Sequence, residues 1–381
     1  MSLKALINAC VLTPDGFKNQ QSILCEDGII THICDDKDRP TQVVVERDLG
    51  GMQLLPGLID IQVNGGGGVL FNDQPNIEGI RAIGKAHRKF GTTGFFPTLI
   101  SDDLDVMERA IKAVDDAIEQ GVPGVLGIHL EGPFLNAEKR GVHDASKFQH
   151  IGDAEMELVS SLKNGVTIVT LAPEKAALNI IENLKKRGVI VAAGHTQASY
   201  DETLLAMDAG LTGFTHLFNA MQPMQSRDPG IIAAALQDPR GWCSIIADGH
   251  HVHPAMMRLA YRAKVGDQIF LVTDAMPSVG AADKPFSLGG IKINVADGKC
   301  ITQDGTLAGS DLDMMSAVRN AADMLGIDFA QAVRMASILP ARHINLQDTI
   351  GEIKVGMQAD FALISRERKV LNIWIKGKSA L

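Results

Sequence analysis

From Leu54 to about residue 345, short apolar runs alternate with longer segments whose apolar residues recur at helical spacing. The runs are rich in valine, isoleucine and leucine, as strands buried on both faces are. Leu58 to Val63 is followed by a predicted helix near 77–90, and Thr93 to Leu99 by one near 103–120. Val125 to Leu130 leads through a long loop to a helix near 153–163, and Val166 to Leu171 to one near 175–187. Val189 to Ala193, Gly213 to Thr215 and Cys243 to Ala247 precede helices near 199–209, 229–237 and 254–264. Ile269 to Val272 is the eighth strand, and helices near 311–325 and 328–338 follow an insertion, Pro277 to Leu307, that reads as a hairpin. Eight such units in one chain predict a (β/α)8 TIM barrel. A doubly wound sheet is disfavoured, because no Gly-x-Gly-x-x-Gly falls between a strand and a helix.

The two ends have a different rhythm. Leu3 to Val11, Ser22 to Cys25, Ile29 to Cys34 and Val43 to Val45 read as short strands separated by Asp15-Gly16 and Glu26-Asp27-Gly28 turns. Strand patterns return at Phe361 to Ile364 and Val370 to Ile375. The simplest packing is a small β-sandwich domain made from both chain ends, with segments 1–53 and 346–381 flanking a barrel over 54–345. The charged run Asp35 to Pro40 reads as a solvated loop.

Composition removes several function classes. The 381 residues are 45% hydrophobic but only 4% aromatic, and the net charge is -9. Such a chain has a substantial core and lacks the basic, aromatic surface of a nucleic-acid binder. An anionic small substrate stays open, because a phosphate pocket needs only a few local donors. Cys10, Cys25, Cys34, Cys243 and Cys300 are dispersed and odd in number, which suits a reducing cytoplasm better than a disulfide framework. The N-terminal apolar stretch is short and broken by Asn8, unlike a secretory signal, and no run reaches the ~20 apolar residues of a membrane span.

The chemistry clusters where the predicted strands end. Glu131, His195, His216 and Asp274 each follow an apolar run, and the C-terminal end of a parallel barrel carries the active site. Carboxylate and imidazole are ordinary zinc ligands, and three protein ligands leave a position for water. Each residue taken alone has a plainer reading. Glu131 could pair with Lys139 or Arg140, Asp274 could be structural, and His143 could be a surface-loop histidine. His129 alternates with Leu130 and fits the barrel interior. His250, His251 and His253 could mimic a metal cluster, although one substrate contact beside two bystanders is the simpler reading. Arg227, in a polar loop, could bind phosphate or pair with Asp228. Asn64 to Gly68 lacks the Lys-Ser/Thr ending of a phosphate loop. The amides of Leu307, Ala308 and Gly309 could meet substrate or cap a helix.

Longer motifs narrow these choices. Pro56-Gly57-Leu58-Ile59-Asp60, His129-Leu130-Glu131-Gly132-Pro133-Phe134, Gly194-His195-Thr196 and Thr215-His216-Leu217-Phe218-Asn219-Ala220-Met221 stand in order. Ala247-Asp248-Gly249 with His251, Thr273-Asp274-Ala275 and the tail Gly351 to Phe361 follow. Over essentially its whole length the chain resembles the N-acetylglucosamine-6-phosphate deacetylases of the amidohydrolase superfamily. The resemblance implies Glu131, His195 and His216 as ligands of one divalent metal, zinc first, with Fe2+, Co2+ and Mn2+ as other options. It implies Asp274 as the catalytic acid/base and His143 as a second catalytic group. Val142, His143, Asn219, Ala220, Arg227, His251, Leu307, Ala308 and Gly309 would contact the amino-sugar phosphate. It also implies a homodimer in which Arg227 reaches the neighbouring active site. One place departs from many amidohydrolases: Gln62-Val63-Asn64 stands where they carry His-x-His, so a second tightly bound metal is not expected. Competing expectations are the same chemistry on another N-acyl sugar phosphate, such as the galactosamine epimer, a cyclic-amide hydrolase, and a non-catalytic barrel used as an assembly module.

Overall fold

A computed structural model describes residues 3–40, 42–264 and 267–381. Met1, Ser2, Thr41, Val265 and Gly266 fall inside the expected segments 1–53 and 54–345 but lie outside the described residues. The central element is one eight-stranded parallel sheet. Its strands in chain order are Leu58–Val63, Thr92–Ile100, Gly127–Glu131, Val166–Leu171, Ile190–Ala193, Gly213–Phe214, Trp242–Ile246 and Ile269–Val272. Each pairs with its sequence neighbour. The first and last meet through a parallel bridge between Val63 and Ala275, and Asp274 N donates to Gln62 O at 3.0 Å. The sheet therefore closes into a barrel.

A buried carboxylate helps that closure. Asp60 accepts from the Thr273 hydroxyl at 2.5 Å, joining the first strand to the end of the last. Burial lifts its carboxyl to about 7. Helices cover the barrel where the apolar spacing predicts them, as at Ile77–Arg88, Leu104–Glu119 and Tyr200–Ala209. Inside the barrel His129 donates from Nδ1 to Ile61 O at 3.1 Å and accepts from Thr170 Oγ1 at 2.7 Å. Burial pulls its pKa down to about 4, so it is a neutral core histidine, as its strand position predicts.

The ends of the chain form a second eight-stranded sheet. Lys4–Thr13 pairs with Gly16–Glu26, Val44–Asp48 and Gln53–Pro56, and Gln53–Pro56 pairs antiparallel with Phe361–Ile364. Ala9, Val11, Ile23, Leu54, Phe361 and Trp374 are buried in a core of its own. The strand Gln53–Pro56 was not foreseen. The Asp35–Pro40 run is more ordered than a solvated loop, because Asp36 accepts from Asn8 N and from Ser22 Oγ.

The insertion after the last barrel strand is larger than the expected hairpin. Phe286–Leu288, Ile291–Ala296, Lys299–Ile301 and Leu307–Ser310 form a four-stranded antiparallel meander. It packs Leu288, Ile293, Cys300 and Ala308 against Leu70 and Met276. The helices that follow are Met314–Leu325, Phe329–Met335 and Ile338–His343. The last was missed because Leu339-Pro340 reads as a break; Pro340 falls in the first turn, where a missing N–H costs nothing. Among the described residues no helix is long and apolar enough to cross a membrane.

Candidate active site

Glu131 ends the third barrel strand, and His195 and His216 lie just beyond the fifth and sixth. Their ligand atoms lie within 4.8 Å of one another. Glu131 Oε1 is 3.1 Å from His195 Nε2 and 2.8 Å from His216 Nε2, and the two ring nitrogens are 3.1 Å apart. All three residues are buried. His195 Nδ1 donates to Lys139 O at 2.8 Å, which leaves the Nε2 lone pair facing the cluster. Three lone pairs aimed at one point fit a divalent cation. Burial alone would raise the Glu131 carboxyl, but the His195 and His216 imidazoles hold it well below its usual range. It makes no ion pair with Lys139 or Arg140 among the described residues.

Backbone geometry turns these side chains inward. His195, His216, Ala220 and Asp274 have φ values of 50°, 35°, 50° and 53°, in the left-handed region that costs a non-glycine residue roughly 1–3 kcal/mol. The neighbouring ladder holds them there. Thr196 N donates to Ala220 O at 3.0 Å, and Ser310 N donates to Asp274 O at 2.9 Å.

Asp274 sits beside the cluster, 9% exposed. Burial, followed by the Glu131 charge, lifts its carboxyl to about 6. Asn64 Nδ2 donates to Asp274 Oδ1 at 2.6 Å. Gln62 Nε2 donates to the same oxygen at 3.2 Å and to Glu131 Oε2 at 3.2 Å. Gln62 thus bridges the two carboxylates, and Asn64 holds Asp274, where His-x-His would otherwise bring a second cation. Their role was legible only as an absence of histidine.

His143 is buried, with its ring centroid 4.4 Å from that of His195. Ser101 N donates to its Nδ1 at 3.4 Å, and Ser101 Oγ lies 2.8 Å from the same atom. A backbone amide can only donate, so Nδ1 accepts and the neutral ring carries its proton on Nε2. Burial, then the His195 charge, pulls the His143 pKa down to about 3. His251 donates from Nδ1 to Asp248 Oδ2 at 2.6 Å, while Asp248 Oδ1 accepts from the amides of His250 and His251. His250 and His253 turn elsewhere, to Asp297 O and to the Ala255 amide.

A cavity of about 370 Å³ joins these groups. Glu131, Val142, His143, His195, His216, Asn219, Ala220, His251, Asp274, Leu307 and Gly309 all line it. Two expected residues do not. Ala308 points away because side chains alternate along its strand, so it packs with Leu288 and Cys300 while Leu307 and Gly309 face the cavity. Arg227 is exposed on the Met224–Pro229 loop and has no ion pair with Asp228 among the described residues. Asn64, Ile100, Gly141, Met276, Leu288, Gly305 and Thr306 complete the wall and were not expected as substrate contacts. The meander supplies several of them, and its contacts are too long-range for periodicity to reveal. A larger space of about 930 Å³ lies beside this cavity and shares Ile100, Gly141, Val142, His143, Leu288 and Thr306 with it.

A closed parallel barrel with a carboxylate and two imidazoles at its strand ends, beside a raised carboxyl, defines a hydrolase of the metal-dependent barrel class. The comparisons with known proteins agree. The chain belongs to the amidohydrolase family, whose family model matches residues 53–380. It is 43% identical over 326 residues to the N-acetylgalactosamine-6-phosphate deacetylase of Shewanella sp. (strain ANA-3), covering 85% of this chain and 82% of that one. It is 32% identical over 377 residues to the N-acetylglucosamine-6-phosphate deacetylase of Haemophilus influenzae, with 98% of each covered. The crystal structure of N-acetylglucosamine-6-phosphate deacetylase from Pasteurella multocida superimposes with a TM-score of 0.95, 32% identity and 99% of both chains covered.

Proposed function

We propose that this chain hydrolyses the acetamide of N-acetyl-D-glucosamine 6-phosphate, giving D-glucosamine 6-phosphate and acetate, in amino-sugar breakdown or recycling. The observation that carries the reading is the convergence of Glu131, His195 and His216 beside Asp274 on one cavity. The three residues would hold a single divalent ion, zinc first among the candidates. When bound, such an ion polarises the acetamide carbonyl and acidifies water.

The chain's own groups do the rest. Asp274 takes a proton from the attacking water and delivers it to the departing nitrogen. Asn64 and Gln62 hold its carboxylate in place. His143 offers Nε2–H to the carbonyl oxygen as negative charge develops there. His251, steadied by Asp248, together with Asn219, Ala220, Val142, Leu307 and Gly309, positions the sugar phosphate. Arg227 is exposed outside its own chain's cavity wall, which supports a homodimer in which it reaches the neighbouring site. Segment 54–345 carries the chemistry, with 1–53 and 346–381 as its support. The five cysteines, dispersed and odd in number, support a cytoplasmic location.

A second reading has its own observation: the Shewanella relative, at 43% identity, acts on the galactosamine epimer. Acetate release from both N-acetylhexosamine 6-phosphates, and from their unphosphorylated parents, separates the two. The first reading expects the glucosamine substrate to have the higher kcat/KM. A tenfold preference for the other epimer selects the second reading, and no acetate from either rejects both.

A further inference from the structure

On the opposite face of the barrel, away from the strand ends that carry the chemistry, lies a second cavity of about 430 Å³. Besides residues 346–358, which supply Leu346, Thr349, Ile350 and Gln358, three segments meet there. The first is the end of the Ile77–Arg88 helix with Arg88; the second is the Gly121–Leu126 loop that enters the third barrel strand; the third is Ile375–Ala380 of the terminal sheet. Its walls contain three cations, Arg88, Lys376 and Lys378, and no carboxylate side chain. That is unusual in a chain with 45 acidic against 36 basic residues. Among the described residues none of the three makes a salt bridge.

Arg88 is the telling member. It is half-buried, and its polar contact is a long one, from Nη1 to Pro123 O at 3.5 Å. Burial lowers its pKa, and no acidic neighbour offsets that cost. A partly desolvated guanidinium with no anion beside it is an incomplete pair. Thr93, Thr349, Gln358 and Ser379 add neutral hydrogen-bonding groups, while Ile118, Val122, Leu346 and Ile350 give the cavity an apolar wall. We propose that this cavity is a binding site for a small organic phosphate, with Arg88, Lys376 and Lys378 taking the dianion and the apolar wall taking the body of the molecule. Guanidinium suits a phosphate bidentately, and the volume suits a ligand of sugar size. Because the site lies between the barrel and the terminal sheet, its occupant would tie the two together.

The test is hydrogen–deuterium exchange on the full-length, metal-loaded protein with glucose 6-phosphate, which has no amide to hydrolyse. Methyl α-glucoside serves as the neutral control. Glucose 6-phosphate should slow exchange in 118–126 and 373–380, and methyl α-glucoside should not. Arg88→Ala should weaken the phosphate's effect there at least tenfold while leaving the rate of acetate release unchanged. If Arg88→Ala fails to fold, a Lys376→Ala, Lys378→Ala double variant on the exposed turn serves instead. No slowing in those segments at millimolar glucose 6-phosphate overturns the site. So does slowing by the neutral sugar alone, or slowing that survives loss of the cations. Protection confined to the strand-end cavity also overturns it.

Discussion

Asp274 is held by two amide donors, Asn64 and Gln62, and the nearby Glu131 carboxylate adds to burial in raising its carboxyl to about 6; in the proposed mechanism it is the group that takes and returns the proton. Replacing it with asparagine keeps the shape and the Asn64 contact but removes the proton acceptor. Asp274→Asn should lose about 10²–10⁴-fold in turnover. It should still hold its metal, since Glu131, His195 and His216 are untouched; elemental analysis and acetate assays read the two effects separately. Retention of a third of wild-type turnover would remove Asp274 from the mechanism. At this scale the sequence was informative about charged groups and poor at neutral ones. Glu131, His195, His216 and Asp274 stand out because ionisable residues seldom follow buried strands without a reason. Gln62, Asn64 and Ser101 do not, because an amide or hydroxyl beside a strand has many ordinary uses. Their functions come from partners 42 to 212 positions away.

The elements that shape the site are strand ends and the meander laid over them. Gly309 has a φ of 60°, and a Cβ there would lie 2.5 Å from Met276 Cγ and 2.9 Å from Asp274 O. Gly309→Ala therefore meets both a left-handed backbone cost of about 1–2 kcal/mol and a collision with the backbone that aims Asp274. It should lower the urea midpoint and reduce turnover together. An unchanged midpoint with unchanged turnover would mean that the meander does not position the catalytic strand. The barrel strands were readable from apolar runs because they are buried on both faces. The meander was only half readable: its exposed face interrupts the apolar pattern, as Lys292 and Asn294 do on either side of buried Ile293. The Arg227 loop tests another element. Losing a charged hydrogen-bonding partner costs about 1.5–3 kcal/mol, so Arg227→Ala should weaken the phosphorylated substrate roughly 10- to 150-fold and spare the unphosphorylated sugar. Mixed Arg227→Ala and Asp274→Asn chains should recover up to about a quarter of wild-type activity at random pairing if sites are shared. No recovery in hybrid dimers shown to form would reject the shared site.

For the whole molecule, Asp360 sits where the terminal sheet passes into the barrel: its carbonyl accepts from Gly57 N at 2.9 Å, and its carboxylate accepts from Lys376 N at 2.7 Å and Gln358 Nε2 at 2.6 Å. Burial lifts its carboxyl to about 6. Between the ordinary value near 3.9 and about 6, the unfolded chain gives up this proton while the folded one keeps it. This group's contribution to stability therefore falls as pH rises through that window, then stays constant. Asp360→Asn does not titrate, so wild-type stability relative to the variant should decline by up to about 3 kcal/mol between pH 4 and 6.5. Urea midpoints of both proteins across pH 4–8 would follow it, and a pH-independent difference would contradict it. The pairing of the two chain ends was legible as two strand-rich tails around a barrel. The Asp360 contact was not, since a lone aspartate in a turn-rich tail looks solvated.

The account rests on one cation at Glu131, His195 and His216 serving an amide hydrolase. Its most direct test is to strip the protein of metal and follow acetate release from N-acetylglucosamine 6-phosphate as zinc is added back in sub-stoichiometric steps. Activity should be absent at the start, rise linearly and saturate at about one equivalent per chain. Full activity in the stripped protein, or saturation only at two equivalents, would contradict it.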